Sequence, residues 1–121
     1  RDKHLFEKIK RRYKNIKIIV ATNHLSFVKK FIIDNFDATY LDDIIISAEI
    51  NKIKPNADFY EYILNRYNIT PRELLFIDDN IDNIKSANSL KINTIKVEKS
   101  TNLFFEITKV IDNCTFVNWN V

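Results

Sequence analysis

Apolar positions along this chain follow two rhythms, one at helical spacing and one in short continuous runs, and the two alternate from end to end. Leu5, Phe6, Ile9 and Tyr13 predict an amphipathic helix from Lys3 to about Tyr13, which Lys14-Asn15 ends. Ile16-Lys17-Ile18-Ile19-Val20-Ala21 is β-branched and nearly all apolar, a predicted buried strand that delivers Thr22-Asn23-His24 at its tip. Leu25, Val28, Phe31 and Ile32 then repeat at helical spacing through about Asn35. Asp43-Ile44-Ile45-Ile46-Ser47 reads as a short strand. Lys54-Pro55 precedes a helix with Phe59, Tyr60, Ile63, Leu64 and Tyr67 as its stripe, Pro55 being suited to its first turn.

Thr70-Pro71-Arg72-Glu73 has the spacing of a capping box closing one turn. Leu74-Leu75-Phe76-Ile77 is then a continuous apolar run that stops at Asp78-Asp79, the pattern of a buried parallel strand with charge at its C-terminal tip. Ile81, Ile84, Ala87 and Leu90 line the next helix, and Thr94 to Val97 alternates as a last strand. Ser100 or Thr101 is the expected cap of a final helix carrying Leu103, Phe104, Ile107, Val110 and Ile111. The tail, residues 113–121, is a candidate edge strand or strap. The whole predicts an α/β fold, Rossmann-like, with helices on both faces of a mostly parallel sheet.

Composition narrows this to one domain over residues 1–121, with 45% hydrophobic and 12% aromatic residues to build a core. The net charge of +3 is mild, and the basic run Lys8-Ile9-Lys10-Arg11-Arg12 lies within a helical pattern, where a solvated face explains it better than nucleic acid does. No apolar run approaches the ~18 residues of a membrane span, and a lone Cys114 makes no internal disulfide, so a cytoplasmic setting is expected. The sequence has no Met and opens directly on a helical pattern, as the C-terminal part of a longer protein does. It also has no Gly, so Asn is expected at turns that need positive φ.

In a parallel sheet the ends carrying Thr22-Asn23, Lys54 and Asp78-Asp79 fall on one edge, where open α/β sheets bind ligands. A hydroxyl and backbone amide can hydrogen-bond phosphate oxygens, an ammonium can neutralise them, and paired carboxylates are hard ligands suited to Mg²⁺. Each part also has a plainer use: Thr22, Asp79 or Asn80 as helix caps, Lys54 as a surface lysine, His24 as a residue of a helix's first turn. The conjunction is what points to phosphate chemistry.

Residues 18–23 (Ile-Ile-Val-Ala-Thr-Asn), residues 47–60 around Lys54-Pro55, and Leu75 to Asn80 with Asn83 and Ala87 resemble the second, third and fourth motifs of the haloacid dehalogenase superfamily. The resemblance spans about residues 5 to 97 and is strongest to the dehalogenase-like and phosphoglycolate-phosphatase-like branch. It implies a Mg²⁺-dependent hydrolase, a phosphatase of small phosphoesters working through an aspartyl intermediate. By the same resemblance Thr22 and Asn23 bind the phosphoryl group, Lys54 stabilises its charge, Asp79 holds the metal, and Asp78 supports or joins it. No membrane or nucleic-acid partner is implied.

Two departures accompany the resemblance. The family's first motif, a strand ending in Asp-x-Asp with the nucleophile, has no counterpart here, because no two aspartates stand two positions apart. The nucleophile is expected upstream of Arg1, in a missing N-terminal segment of the same protein, and the 121-residue chain alone is expected to be inactive. The absent strand would separate those ending at Thr22 and Asp78. In the isolated chain these two strands are expected to draw together into one four-stranded parallel sheet ordered by its tips as Val97, Asp78, Thr22, Ser47, and an open gap of ~9 to 10 Å would contradict that closure. The second departure is Lys91, where the family has Gly; the turn is expected to be rebuilt around Asn93. The alternative function is a non-catalytic module of the same fold. A signalling receiver domain is disfavoured because there the acid pair comes first along the chain.

Overall fold

The computed structural model describes residues 4–22 and 38–113. Helix α1 (Leu5–Arg12) leads to β1 (Ile19–Thr22); β2 (Asp43–Ile46) runs into the single-turn α2 (Ser47–Ile50), and α3 (Ala57–Tyr67) follows the Lys54-Pro55 loop. A 3-10 turn at Pro71–Glu73 introduces β3 (Leu75–Asp78), then α4 (Ile81–Ser89), β4 (Asn93–Lys96) and α5 (Leu103–Asp112). The predicted helix from Leu25 to Asn35, the tail from Cys114 and residues Asn23 and His24 lie outside the described residues.

The strands form two parallel pairs. β1 pairs with β2, Thr22 opposite Ile46, and β3 pairs with β4, Asp78 opposite Lys96. β1 and β3 do not pair, so the single closed sheet is not formed. Between them lies an apolar groove of about 490 Å³, lined by Ile18, Val20, Leu75, Ile77, Ile107 and other residues of both strands and of α1 and α5. Apolar side chains pack on both faces of the strands. Ile45 and Phe76 join Phe59, Tyr60 and Ile63 of α3 and Ile84 and Ala87 of α4 on one face; Ile95 joins Ile9, Tyr13, Ile107 and Ile111 on the other. Burial of Phe59, Tyr60 and Ile46, all fully inaccessible, contributes roughly 1.5–3 kcal/mol each.

Local chemistry explains the boundaries and corrects several expectations. β1 begins at Ile19 rather than Ile16, because the Ile18 amide is taken by the Asp42 side chain at 2.7 Å instead of by a neighbouring strand. Ser47 opens α2 rather than ending β2. Pro55 lies before α3, whose N-cap is Asn56. The cap of α5 is Asn102, whose Oδ1 accepts from the Phe105 amide at 3.1 Å; Thr101 instead accepts from the Glu98 amide. Asn51 and Asn68 hold the left-handed conformation, as a glycine-free chain requires, but so does Lys91 (φ 70°), and Asn93 is in β4; the turn was not rebuilt around it. The basic run of α1 is committed internally. Lys10 pairs with Asp42 at 2.6 Å, Arg11 with Glu7 and Arg12 with Asp112 at 2.5 Å, and Lys8 lies over the Phe104 ring. No described helix is long and apolar enough to cross a membrane.

Candidate active site

The C-terminal ends of both strand pairs meet at Lys54. Its ammonium donates to the Ala21 carbonyl at the tip of β1 (3.2 Å) and to Asp78 Oδ2 at the tip of β3 (3.0 Å), and it sits 5.6 Å from the Phe76 ring centroid. The side chains of Lys54 and Asp78 are only 11% and 9% exposed, far from the ordinary state of a surface lysine. An ion pair withdrawn this far from water is costly unless its remaining hydrogen-bonding capacity is filled. Here it is filled on the carboxylate side: Asp78 Oδ2 also accepts from Asn83 Nδ2 (3.0 Å), and Oδ1 from the Asn80 amide (2.9 Å). Burial alone would raise the Asp78 carboxyl, but the Asn80 amide, Lys54 and Asn83 outweigh it and hold the carboxyl below the usual range.

The neighbouring acid is in a different position. Asp79 is exposed, and among the described residues no hydrogen bond engages its carboxylate. Capping of α4 falls to Asn80, whose Oδ1 accepts from the amides of Asp82 (2.8 Å) and Asn83 (3.2 Å). The plainer use expected of the acid pair therefore belongs to Asn80, leaving Asp79 available to an external ligand. Among the described residues no three His, Cys, Asp or Glu side chains converge. That donor set fits Mg²⁺, which takes one or two protein carboxylates and completes its octahedron with water and substrate oxygens.

Of the residues singled out in sequence, Lys54 and Asp78 are in contact, Asp79 follows Asp78 on the same edge, and the backbone of Thr22 ends β1 beside them. The Thr22 side chain and Asn23 lie outside what is described. Three contributors have no role assigned by sequence. Asn83 orients Asp78; the fully buried Tyr60 donates to the Asn83 carbonyl at 2.9 Å; and the Ser86 hydroxyl donates to the Pro55 carbonyl. Burial and the Asp78 charge push the Tyr60 phenol up to about 12, so it remains a donor, with the nearby Ser86 acting in the opposite direction. Their signal in the sequence is slight. Asn83 and Ser86 place polar groups beside Ile84 and Ala87 on a helix stripe where apolar ones are expected.

The chain is similar to several known proteins. The chain is 34% identical to mouse (Mus musculus) acyl-CoA dehydrogenase family member 10 over 90 residues, 73% of this chain and 8% of that protein. It is 33% identical to glyceraldehyde 3-phosphate phosphatase of Methanocaldococcus jannaschii over 61 residues, 50% of this chain and 27% of the other. Its fold is similar, with a TM-score of 0.68 and 22% identity, to a HAD family enzyme from Bacteroides thetaiotaomicron in complex with magnesium and inorganic phosphate, covering 81% of this chain and 52% of that one. The chain spans well under half the length of the curated relatives it matches. Residues 3–97, which contain all four strands and every site residue above, match one family throughout, and the chain belongs to the haloacid dehalogenase-like hydrolases.

Proposed function

We propose that this chain is the core of a Mg²⁺-dependent phosphatase of small phosphoesters, whose nucleophilic aspartate lies on a segment outside residues 1–121. The observation that carries the reading is the division of labour at the sheet edge: a partly buried ammonium held against an engaged Asp78, beside an Asp79 whose carboxylate is left open. Phosphoryl transfer needs positioning and charge neutralisation more than elaborate covalent machinery. Lys54 supplies fixed positive charge for the nucleophile and the equatorial oxygens. Thr22 and Asn23 bind the phosphoryl group at the end of β1. Asp79 would hold Mg²⁺, with Asp78 behind it keeping Lys54 in place; when bound, the ion neutralises phosphate charge and aligns the group for attack. The attacking carboxylate displaces the alcohol to form an aspartyl phosphate, and water then releases phosphate.

The groove between β1 and β3 suits the absent strand. Its walls are apolar side chains and the edges of two parallel strands that pair with no further strand among the described residues, so an apolar strand running parallel to both would satisfy their backbone groups. Such a strand would end beside Lys54, where a carboxylate is wanted. A reducing cytoplasmic setting suits a small-phosphoester enzyme with a single cysteine.

The test is hydrolysis of a broad phosphoester panel by the chain extended upstream through the next strand, with and without Mg²⁺. Metal-dependent turnover is expected. An extended protein that carries Asp-x-Asp and hydrolyses none of the panel would assign the fold to a non-catalytic module instead.

A further inference from the structure

Lys54 is mounted on an exposed loop: Asn51, Ile53, Pro55 and Asn56 around it are all exposed. A lysine on such a mount has four flexible carbons and no fixed geometry of its own. Yet its ammonium is held at 3.0 Å from Asp78 and 3.2 Å from the Ala21 carbonyl, and the loop behind it is tied to α4. The Ser86 hydroxyl does this by donating to the carbonyl of Pro55, the residue bonded to Lys54. Ser86 lies one turn beyond Asn83 on the same face of α4, and Asn83 fixes the other member of the ion pair at 3.0 Å. The contacts form a ring: Lys54 to Pro55 through the chain, Pro55 to Ser86, along α4 to Asn83, Asn83 to Asp78, and Asp78 back to Lys54. Tyr60 braces it from inside, its hydroxyl on the Asn83 carbonyl and its ring edge-on to Phe76, the ring beneath the ammonium.

We propose that Ser86 is a positioning residue, which by holding the Pro55 carbonyl against α4 fixes the Lys54 ammonium over Phe76 and against Asp78. The positioning stands on contacts within this chain; only its consequence for turnover rests on the phosphatase reading.

NMR of the 121-residue chain tests it through the Lys54 ε-methylene resonance, which the Phe76 ring current displaces from the position of exposed lysines. In Ser86→Ala this resonance moves towards the exposed-lysine position, while the Ile95 and Ile111 methyls in the opposite core stay in place. Ser86→Thr, which keeps the hydroxyl, restores it. An unmoved Lys54 resonance in a folded alanine variant overturns the proposal, as does an equal displacement in the threonine variant, which would trace the effect to packing. Should the alanine variant not fold, Ser86→Cys, of similar size and a weaker donor, is read by the same criteria. In the upstream-extended protein Ser86→Ala is expected to lower kcat about 10-fold with KM changed less than about 2-fold. A displaced Lys54 with unchanged kcat would support the positioning and count against the phosphatase reading.

Discussion

Lys54 is a held charge at this edge and Asp79 an open one, and under the proposed function substitutions should separate them. In the upstream-extended protein, Lys54→Ala is expected to lower kcat by roughly 10²–10³ with a smaller change in KM, because the ammonium is needed most as charge shifts in the transition state. Asp79→Asn removes a ligand charge, so steady-state rates should require more Mg²⁺ for half-saturation as well as falling. A Lys54 effect confined to KM would make the lysine a simple binding residue. Lys91 offers a test of stability. It holds φ 70° with its side chain exposed, a conformation that costs a non-glycine residue about 1–2 kcal/mol, against which glycine's greater unfolded freedom offsets about 0.4–1 kcal/mol. Lys91→Gly should therefore stabilise by about 0.5–1 kcal/mol in urea unfolding, and a loss of stability would contradict the account of that turn. Lys54 and the acid pair were legible in sequence because the end of an apolar run and a Lys-Pro step are local patterns. Asn83 was visible only as a motif position, and Ser86 and Tyr60 not as site residues, because their roles exist only once α4 packs against the Lys54-Pro55 loop.

At the scale of elements, β2 is tied to the end of α3 by one carboxylate. Asp43 Oδ2 accepts from Arg66 Nε at 2.9 Å and from the Tyr67 hydroxyl, and Oδ1 accepts from the Ile44 amide at 2.8 Å. Partial burial raises this carboxyl, but Tyr67, the Ile44 amide and Arg66 lower it further, so it lies below its ordinary value. A depressed carboxyl stabilises the fold above its unfolded value of ~3.9, and that contribution is lost as pH falls through the folded value. Asp43→Asn should cost about 1 kcal/mol at neutral pH and flatten the fall in urea midpoint between about pH 5 and pH 2. An equally steep acid limb in the variant would show that other carboxylates set it; Asp42, held low by Lys10 and the Ile18 amide against the effect of burial, is the first of these. Element types were readable from periodicity, since stripes such as Phe59, Tyr60 and Ile63 bury as their spacing requires. Boundaries were less so. β1 is shorter than its apolar run because its length is set by where β2 begins, and α5 is capped by whichever of three polar residues reaches the Phe105 amide.

The whole molecule is organised around its groove. Two parallel pairs, each with an apolar face on either side, present to one another edges that no other described strand pairs with, while Lys54 spans their tips. The α/β class and the shared C-terminal edge were legible from the order of elements. Whether the pairs would close was not, because it depends on packing by α1 and α5, which line the groove together with the strands. In the proposed function an aspartate outside residues 1–121 takes the phosphoryl group beside Lys54. This step is tested most directly by acid-quenching the upstream-extended protein during turnover of a phosphoester and locating the bound phosphate by peptide mass spectrometry. The account predicts a hydroxylamine-labile phosphate on an aspartate upstream of Arg1, reduced in Lys54→Ala. Phosphate on a residue within 1–121, or steady turnover with no phosphoprotein and no dependence on Lys54, would contradict it.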